Sequence, residues 1–171
     1  MARASLAARP ADEPFPGEAP AYDLIELLFF AYRDFVGDAD RLLADYGFGR
    51  AHHRVLHFVD RHPGLTVADL LEVLKITKQS LNRVLKELVD QGVIAQQPGT
   101  SDRRQRLLSP TDRGRDLALR LAQLQSRRMA RALSDGPAGM REAASRFLLG
   151  MIDPTERAQV CRMVFEARAV P

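Results

Sequence analysis

The sequence has 171 residues, of which 46% are hydrophobic and 27% charged, and its formal net charge is +3. This length favours one domain with or without arms, and the composition leaves enough apolar material for a core. No apolar run approaches the roughly 18 residues that span a bilayer, and the first residues lack the apolar stretch of a secretory signal. The single cysteine, Cys161, excludes an internal disulfide. We therefore expect a cytoplasmic protein that does not associate with membranes.

The positive charge is concentrated in the middle of the chain. Residues 1–74 hold 7 basic and 12 acidic side chains, residues 75–131 hold 13 and 5, and residues 132–171 hold 5 and 5. The net charge therefore changes from −5 to +8 and then to 0 along the sequence. An asymmetry of this kind suggests a polyanionic partner for residues 75–131.

The N-terminal part of the sequence predicts an arm followed by a helix. Residues 1–20 contain four of the ten prolines and little periodic apolar content, which predicts a flexible arm. A helical pattern then runs from Tyr22 to about Tyr46, and its first half is apolar on more than one face. A helix that is apolar all round is buried on more than one side. In a chain this short, the pattern suggests packing against a second subunit.

Three further helices are predicted before residue 92. The first runs from about Arg50 to Arg61 and ends at a His-Pro-Gly sequence. Thr66 and Asp69 form a capping-box pattern at the start of a short second helix. A threonine cap opens the third helix, over residues 77–91, and Gly92 ends it.

Two short strands and three helices complete the predicted chain. Residues 93–97 and 104–109 predict a β-hairpin with a basic tip. A long helix is expected from Thr111 to about Ala132, and another from about Met140 to Met151. The Asp-Pro pair at 153–154 predicts the start of a last helix, with the aspartate as its N-cap and the proline at the first helical position.

The central elements form a helix-turn-helix followed by a wing. In such a unit the second helix lies in the major groove and presents its N-terminal residues to base edges. The apolar residues of helix 77–91 leave its opposite face to side chains that bond bases and phosphates. Lys86, Thr77 and Ser80 are expected to meet phosphate. The predicted DNA contacts on this helix are Thr77, Lys78, Gln79, Ser80, Asn82, Arg83 and Lys86.

The hairpin tip supplies a second set of predicted contacts. Arg103, Arg104 and Arg106 lie on or beside the tip of the wing at 97–107. Arginine at such a tip suits insertion into a narrow, electronegative minor groove. Asp102 is the local counter-charge, and we expect it to orient the Arg104 guanidinium. An ordinary solvated helix face would carry similar residues to those of helix 77–91, but the basic wing favours DNA binding.

Two stretches of the sequence follow a known family pattern. Residues 65–94, L-T-V-A-D-L-L-E-V-L-K-I-T-K-Q-S-L-N-R-V-L-K-E-L-V-D-Q-G-V-I, and residues 102–114, D-R-R-Q-R-L-L-S-P-T-D-R-G, resemble the helix-turn-helix and wing of the MarR family of bacterial transcriptional regulators. Pro110 replaces the family's usual leucine. Because proline has no N–H, the second wing strand is expected to end there or to lie at an edge. The wing-signature positions in register are Asp102, Arg104, Leu108, Thr111 and Gly114.

The resemblance implies a mainly α fold with a small β-wing, in which a winged helix-turn-helix is flanked by N- and C-terminal dimerisation helices. It implies an N-terminal dimerisation helix at 21–46, a DNA-binding domain at 47–110 and C-terminal dimerisation helices at 111–171, after the arm at 1–20. It further implies a homodimer on a pseudo-palindromic operator in double-stranded DNA, with half-sites about one helical turn apart. A ligand-responsive repressor is the expected mode of action.

The resemblance also implies a small-molecule effector, often a phenolic or other anion in this family. Tyr32, His52 and His53 are the candidate effector-binding residues. His53 and His57 have a spacing that suits a metal, but polar positions on a partly exposed helix explain them more simply, so no metal and no cofactor is predicted. Cys161 is interpreted as a buried, inert cysteine, and a redox-responsive regulator acting through it is the alternative.

Two other classes of function compete with a DNA-binding regulator. A winged-helix protein-interaction module would not need the basic segment at 75–131. An enzyme would need a nucleophile–base pair or a metal cluster, and the sequence offers neither. The sequence therefore predicts a cytoplasmic transcriptional regulator that associates with the nucleoid when it is bound to DNA, and not an enzyme.

Overall fold

The computed structural model describes residues 20–99 and 105–166. The arm predicted at 1–20 therefore lies outside the described residues, except for Pro20. The chain divides into two compact units, which meet between Arg33 and Asp34 within the first helix. The described elements, in chain order, are α1 (Tyr22–Ala44), α2 (Arg50–Arg61), β1 (Leu65–Thr66), α3 (Val67–Leu74), α4 (Lys78–Asp90), β2 (Ile94–Pro98), β3 (Arg106–Pro110), α5 (Asp112–Ser134), α6 (Met140–Gly150) and α7 (Arg157–Phe165).

The helix-turn-helix is formed by α3 and α4, and both helices begin at the predicted threonine caps. The Thr66 hydroxyl accepts a hydrogen bond from the Asp69 N–H at 3.2 Å, and the Asp69 carboxylate accepts one from the Thr66 N–H at 2.7 Å. This confirms the capping box. Between the two helices, Lys75 adopts a left-handed conformation (φ 51°) at the end of α3. That residue ends α3 and redirects the chain, and α4 begins three residues after Lys75.

The wing belongs to a three-stranded antiparallel sheet with the order β1-β3-β2. The predicted hairpin is confirmed, with β2 and β3 displaced by one or two residues from the predicted strands. Pro110 is the last residue of β3 and is paired with Ile94, as its missing N–H requires. Strand β1, in which Leu65 pairs with Leu108, was not predicted. A two-residue strand is too short to show an alternating pattern.

The core of the second unit, which starts at Asp34, fixes the orientation of α4. Leu81, Val84, Leu85 and Leu88 of this helix are almost fully buried, as their spacing predicted. They pack with apolar side chains of α2, α3, α5 and the sheet. Since burying one such side chain is worth about 1.5–3 kcal/mol, rotation of α4 about its axis would be costly, and its polar face is held outward.

The junction between the wing and α5 is tightly packed. The Thr111 hydroxyl accepts a hydrogen bond from the Gly114 N–H at 3.1 Å, which caps α5. The same hydroxyl donates to the Gly92 carbonyl at 2.7 Å, just after the end of α4. A side chain at Gly114 would overlap the Val93 carbonyl group. The threonine and glycine of the wing signature therefore join α5 to the end of α4.

The start of the last helix differs from the prediction. Asp153 was predicted as its N-cap, with Pro154 as the first helical residue, but α7 begins at Arg157. The Asp153 carboxylate instead accepts hydrogen bonds from the N–H and the hydroxyl of Thr155, at 2.8 and 2.5 Å. Aspartate side chains readily close such local turns, and this turn delays the helix by three residues.

An ion pair joins the second half of α1 to α5. The Asp38 carboxylate accepts hydrogen bonds from Nε and Nη2 of Arg128 at 3.0 and 2.7 Å. The hydrogen bond from Arg128 is the main cause that lowers the pKa of Asp38 below its usual value of 3.8. A carboxylate with a lowered pKa stabilises the folded state above its unfolded-state pKa, and this contribution is lost as the pH falls through the folded-state pKa.

We expect Asp38→Asn to destabilise the protein at pH 7, because the neutral amide keeps only the weaker, uncharged hydrogen bonding to Arg128. The difference from wild type should begin to shrink below about pH 4, where the unfolded-state carboxyl group becomes protonated, and should be lost once the pH is also below the lowered folded-state pKa. Urea denaturation at pH 7, 5, 4 and 3 measures this difference. The control is Asp116→Asn, at an exposed carboxylate of α5. An equal effect of the two substitutions, or an Asp38 effect that does not change with pH, would contradict the assignment.

Candidate nucleic-acid interface

The predicted DNA contacts of α4 all lie on one exposed face. None of them is buried, whereas the opposite side of the helix carries the four buried core residues. The face therefore presents amide, hydroxyl, guanidinium and ammonium groups together, which are the groups that bond base edges and phosphates. The residues that the structure brings onto this face are Lys78, Gln79, Ser80, Asn82, Arg83 and Lys86, with Thr77 at its N-terminal end.

Thr77 and Ser80 form the cap of α4. The Thr77 hydroxyl accepts a hydrogen bond from the Ser80 N–H at 3.2 Å and donates one to the Ser80 hydroxyl at 3.0 Å. The donor of Thr77 is thus used within the helix, while the Ser80 hydroxyl keeps its own proton to donate. The phosphate contacts assigned to these two residues stay predictions.

Lys86 lies beside the base of the wing. Its ammonium group pairs with Asp90 one turn further along α4, and this hydrogen bond raises the lysine pKa. A shallow groove between α4 and the sheet is lined by Asn82, Lys86, Gln96 and Arg106, among others. The structure therefore brings Arg106, at the start of β3, to the same groove as Asn82 and Lys86 of α4.

The tip of the wing is outside the described residues. Asp102, Arg103 and Arg104 fall in the gap between residues 99 and 105. The predicted insertion of Arg104 into the minor groove, and its orientation by Asp102, stay predictions. Of the three wing arginines, the structure places only Arg106, which is exposed at the first position of β3.

His52 makes a set of contacts that the sequence did not predict. Its Nδ1 accepts a hydrogen bond from the Gly49 N–H at 3.1 Å, and its Nε2 lies 2.6 Å from the Glu87 carboxylate of α4. The imidazole also stacks on Phe48, with ring centroids 4.7 Å apart. His52 therefore links the start of α2 to α4. No local pattern signals this pair, because its members are 35 residues apart and on different helices.

The remaining candidate effector residues, His53 and Tyr32, and the candidate redox residue Cys161 differ in how far they are buried. His53 is half-buried, and burial, followed by the charge of His57, lowers its pKa. Tyr32 is exposed on the first part of α1, and Cys161 is half-buried in α7. Within residues 20–99 and 105–166, no group of three or more histidine, cysteine or acidic residues is placed to hold a metal ion. The effector-binding roles of Tyr32, His52 and His53 stay predictions.

Both units expose large apolar side chains. In the first unit, the early turns of α1 expose Leu27, Phe29 and Phe30, each by more than half of its surface. In the second unit, α6 exposes Phe147 and α7 exposes Phe165 to a similar degree. Clustered apolar exposure of this kind marks protein–protein surfaces.

No helix in the described part of the chain is both long and apolar enough to cross a membrane.

Comparison with known proteins places this architecture among transcriptional regulators. Residues 46–105 match the sequence profile of the MarR family. The HTH-type transcriptional regulator PetP of Rhodobacter capsulatus is 47% identical over 137 residues, which cover 78% of this chain and 80% of PetP.

Solved structures share the fold. MepR of Staphylococcus aureus, solved in a DNA-binding conformation, has a TM-score of 0.65 at 18% identity over 75% of this chain and 95% of its own. The Mycobacterium tuberculosis MarR family protein Rv2887, solved with salicylic acid, has a TM-score of 0.56 at 27% identity over 81% of this chain and 100% of its own.

Proposed function

Because the chain belongs to the MarR family of transcriptional regulators and is a DNA-binding winged-helix protein rather than an enzyme, we propose that it binds a pseudo-palindromic operator as a homodimer. The exposed polar face of α4, opposite its four buried residues, is the observation that carries this proposal. A helix held in this way presents six hydrogen-bonding or charged side chains to the major groove. Arg106 and the basic wing tip would contact the adjacent DNA phosphates and the minor groove.

The proposed partner in the dimer is a second copy of the chain. The apolar side chains that α1, α6 and α7 expose give each protomer surfaces that a two-fold symmetric partner can cover. Two recognition helices related by a two-fold axis then meet half-sites about one helical turn, roughly 10 bp, apart. Equilibrium sedimentation of the purified chain tests the dimer directly, and a monomer at micromolar concentration would contradict it.

We propose repression relieved by a small aromatic acid as the mode of regulation. The support is the similarity to Rv2887, which was solved with salicylic acid and with p-aminosalicylic acid. An effector that binds the free protein more tightly than the DNA-bound protein must weaken operator binding by the same ratio. Titration of the protein–operator complex with salicylate should release the DNA. If millimolar salicylate releases no DNA from the protein–operator complex, aromatic acids are not the effector class.

Substitutions on α4 should separate base contacts from phosphate contacts. We expect Arg83→Ala or Lys78→Ala to weaken operator binding by about 1–3 kcal/mol and to relax base preference. Lys86→Ala should weaken binding to operator and random DNA alike and should reduce the salt dependence by about one ion, because a phosphate contact is lost. Arg104→Ala should cost affinity through the minor groove. Gel-shift titrations at several salt concentrations measure all four variants.

The matched control for these substitutions is Arg61→Ala, at an exposed arginine that ends α2 and lies outside both the proposed DNA contacts and the proposed dimer surfaces. It should bind operator like wild type. If Arg83→Ala and Arg104→Ala also bind like wild type, the groove assignments are wrong. Binding that does not depend on salt would contradict a phosphate-anchored interface altogether.

A further inference from the structure

The His52–Glu87 pair joins a partly buried ring to α4, the helix proposed to bind DNA. The His52 side chain is 12% exposed, whereas the Glu87 side chain is 44% exposed. Since the Gly49 N–H can only donate, the His52 Nδ1 must accept, and the imidazole proton therefore resides on Nε2. This proton is donated to the Glu87 carboxylate across 2.6 Å. The stacking of the ring on the buried Phe48 fixes the position of the donor.

Glu87 is one helical turn after Arg83 on α4. Side chains four residues apart on a helix are neighbours, and an acidic and a basic residue at that spacing attract each other. Arg83 is exposed, and no partner holds its guanidinium among residues 20–99 and 105–166. The two groups therefore compete: a Glu87 carboxylate that is not held by His52 can turn to Arg83, and it would then also bring negative charge toward the DNA.

We propose that His52 is a positioning residue that holds the Glu87 carboxylate away from Arg83 and so leaves Arg83 available to DNA. This rests on the proposed docking of α4 in the major groove. His52 does not touch DNA in this arrangement. It acts through Glu87. Because His52 holds the carboxylate back, the negative charge of Glu87 is compatible with a DNA-binding face.

The test is a set of operator-binding measurements on variants of the full chain. His52→Phe keeps the ring that stacks on Phe48 and removes the Nε2–H donor. We expect it to weaken operator binding about twofold, since an i,i+4 ion pair then competes with the DNA for Arg83. Glu87→Gln should restore most of this loss in the His52→Phe background but should change affinity much less in the wild-type background, where the amide oxygen still accepts from His52. His52→Phe should cost nothing further in the Arg83→Ala background.

A purely structural role for His52 predicts a different pattern. A loss caused by poorer packing would not be restored by Glu87→Gln, and it would persist in the Arg83→Ala background. Either of these results, or wild-type affinity for His52→Phe, would overturn the proposal. Thermal melting of each variant monitors the fold, and His52→Leu replaces His52→Phe if the latter does not fold. The wild-type protein separates the two proposals: if it binds no sequence selected from random double-stranded DNA more tightly than random DNA, the proposed function fails, whatever the variants do.

Discussion

Phe29→Asp should convert the dimer to a monomer and lower operator affinity more than a hundredfold. Phe29 is 68% exposed in the single chain, so its replacement leaves the protomer core intact. Burying one phenylalanine at an interface contributes about 1.5–3 kcal/mol, and two-fold symmetry counts the loss twice, about 3–6 kcal/mol in all. The buried carboxylate adds a further penalty. Because a monomer engages one half-site only, the gain from binding both half-sites together is lost as well.

The control for this prediction is Phe29→Leu, which keeps an apolar side chain at the same position and should remain dimeric. Sedimentation equilibrium gives the dimer dissociation constant, and a gel shift on the same samples gives the operator affinity. A Phe29→Asp protein that stays dimeric, or a monomer that binds operator as tightly as wild type, would show that the early turns of α1 are not the interface.

Gly114→Ala should destabilise the fold by about 1–3 kcal/mol, the cost of an overpacked buried position that must move the backbone. The added methyl group would overlap the Val93 carbonyl, and a carbonyl in the main chain cannot swing aside as a side chain would. The strain falls where Thr111 binds the Gly92 carbonyl, so we also expect the wing to shift relative to α4.

Gly150→Ala provides the matched control. Gly150 is the last residue of α6 and has nothing within 4 Å of the position that a Cβ would take. Alanine there should be neutral or slightly stabilising, because glycine is the poorer helix former. Urea denaturation measures both variants. A Gly114→Ala protein as stable as wild type would contradict the close approach of Gly114 to the Val93 carbonyl.

Features encoded within a few residues were predictable from the sequence. The Thr66–Asp69 capping box and the apolar spacing of α4 are short-range patterns, and the structure confirms both. The end of β3 at Pro110 follows from a missing N–H and is equally local. The exposed polar face of α4 was predictable for the same reason, since the four buried residues define the opposite side.

Features that depend on distant or competing partners were not predictable. The two-residue strand β1 exists only because β3 offers it a partner. The Asp153 side chain could cap a helix or close a local turn. Its hydrogen bonds from Thr155 show that it closes the turn. The pairing of His52 with Glu87 requires the packing of α2 against α4, which no sequence spacing shows. The resemblance to the family therefore identified the proposed recognition helix but not the His52–Glu87 contact that joins it to α2.

In the proposed complex, two copies of this chain bind one DNA site through α4 and the wing. The direct test starts with selection of bound sequences from random double-stranded DNA by the purified protein. The most enriched sequence is then titrated with the protein at several salt concentrations. We predict two inverted half-sites with centres about 10 bp apart, one dimer per site, and an affinity that falls steeply as salt increases. No enriched sequence, or a single half-site bound by one protomer, would contradict the claim.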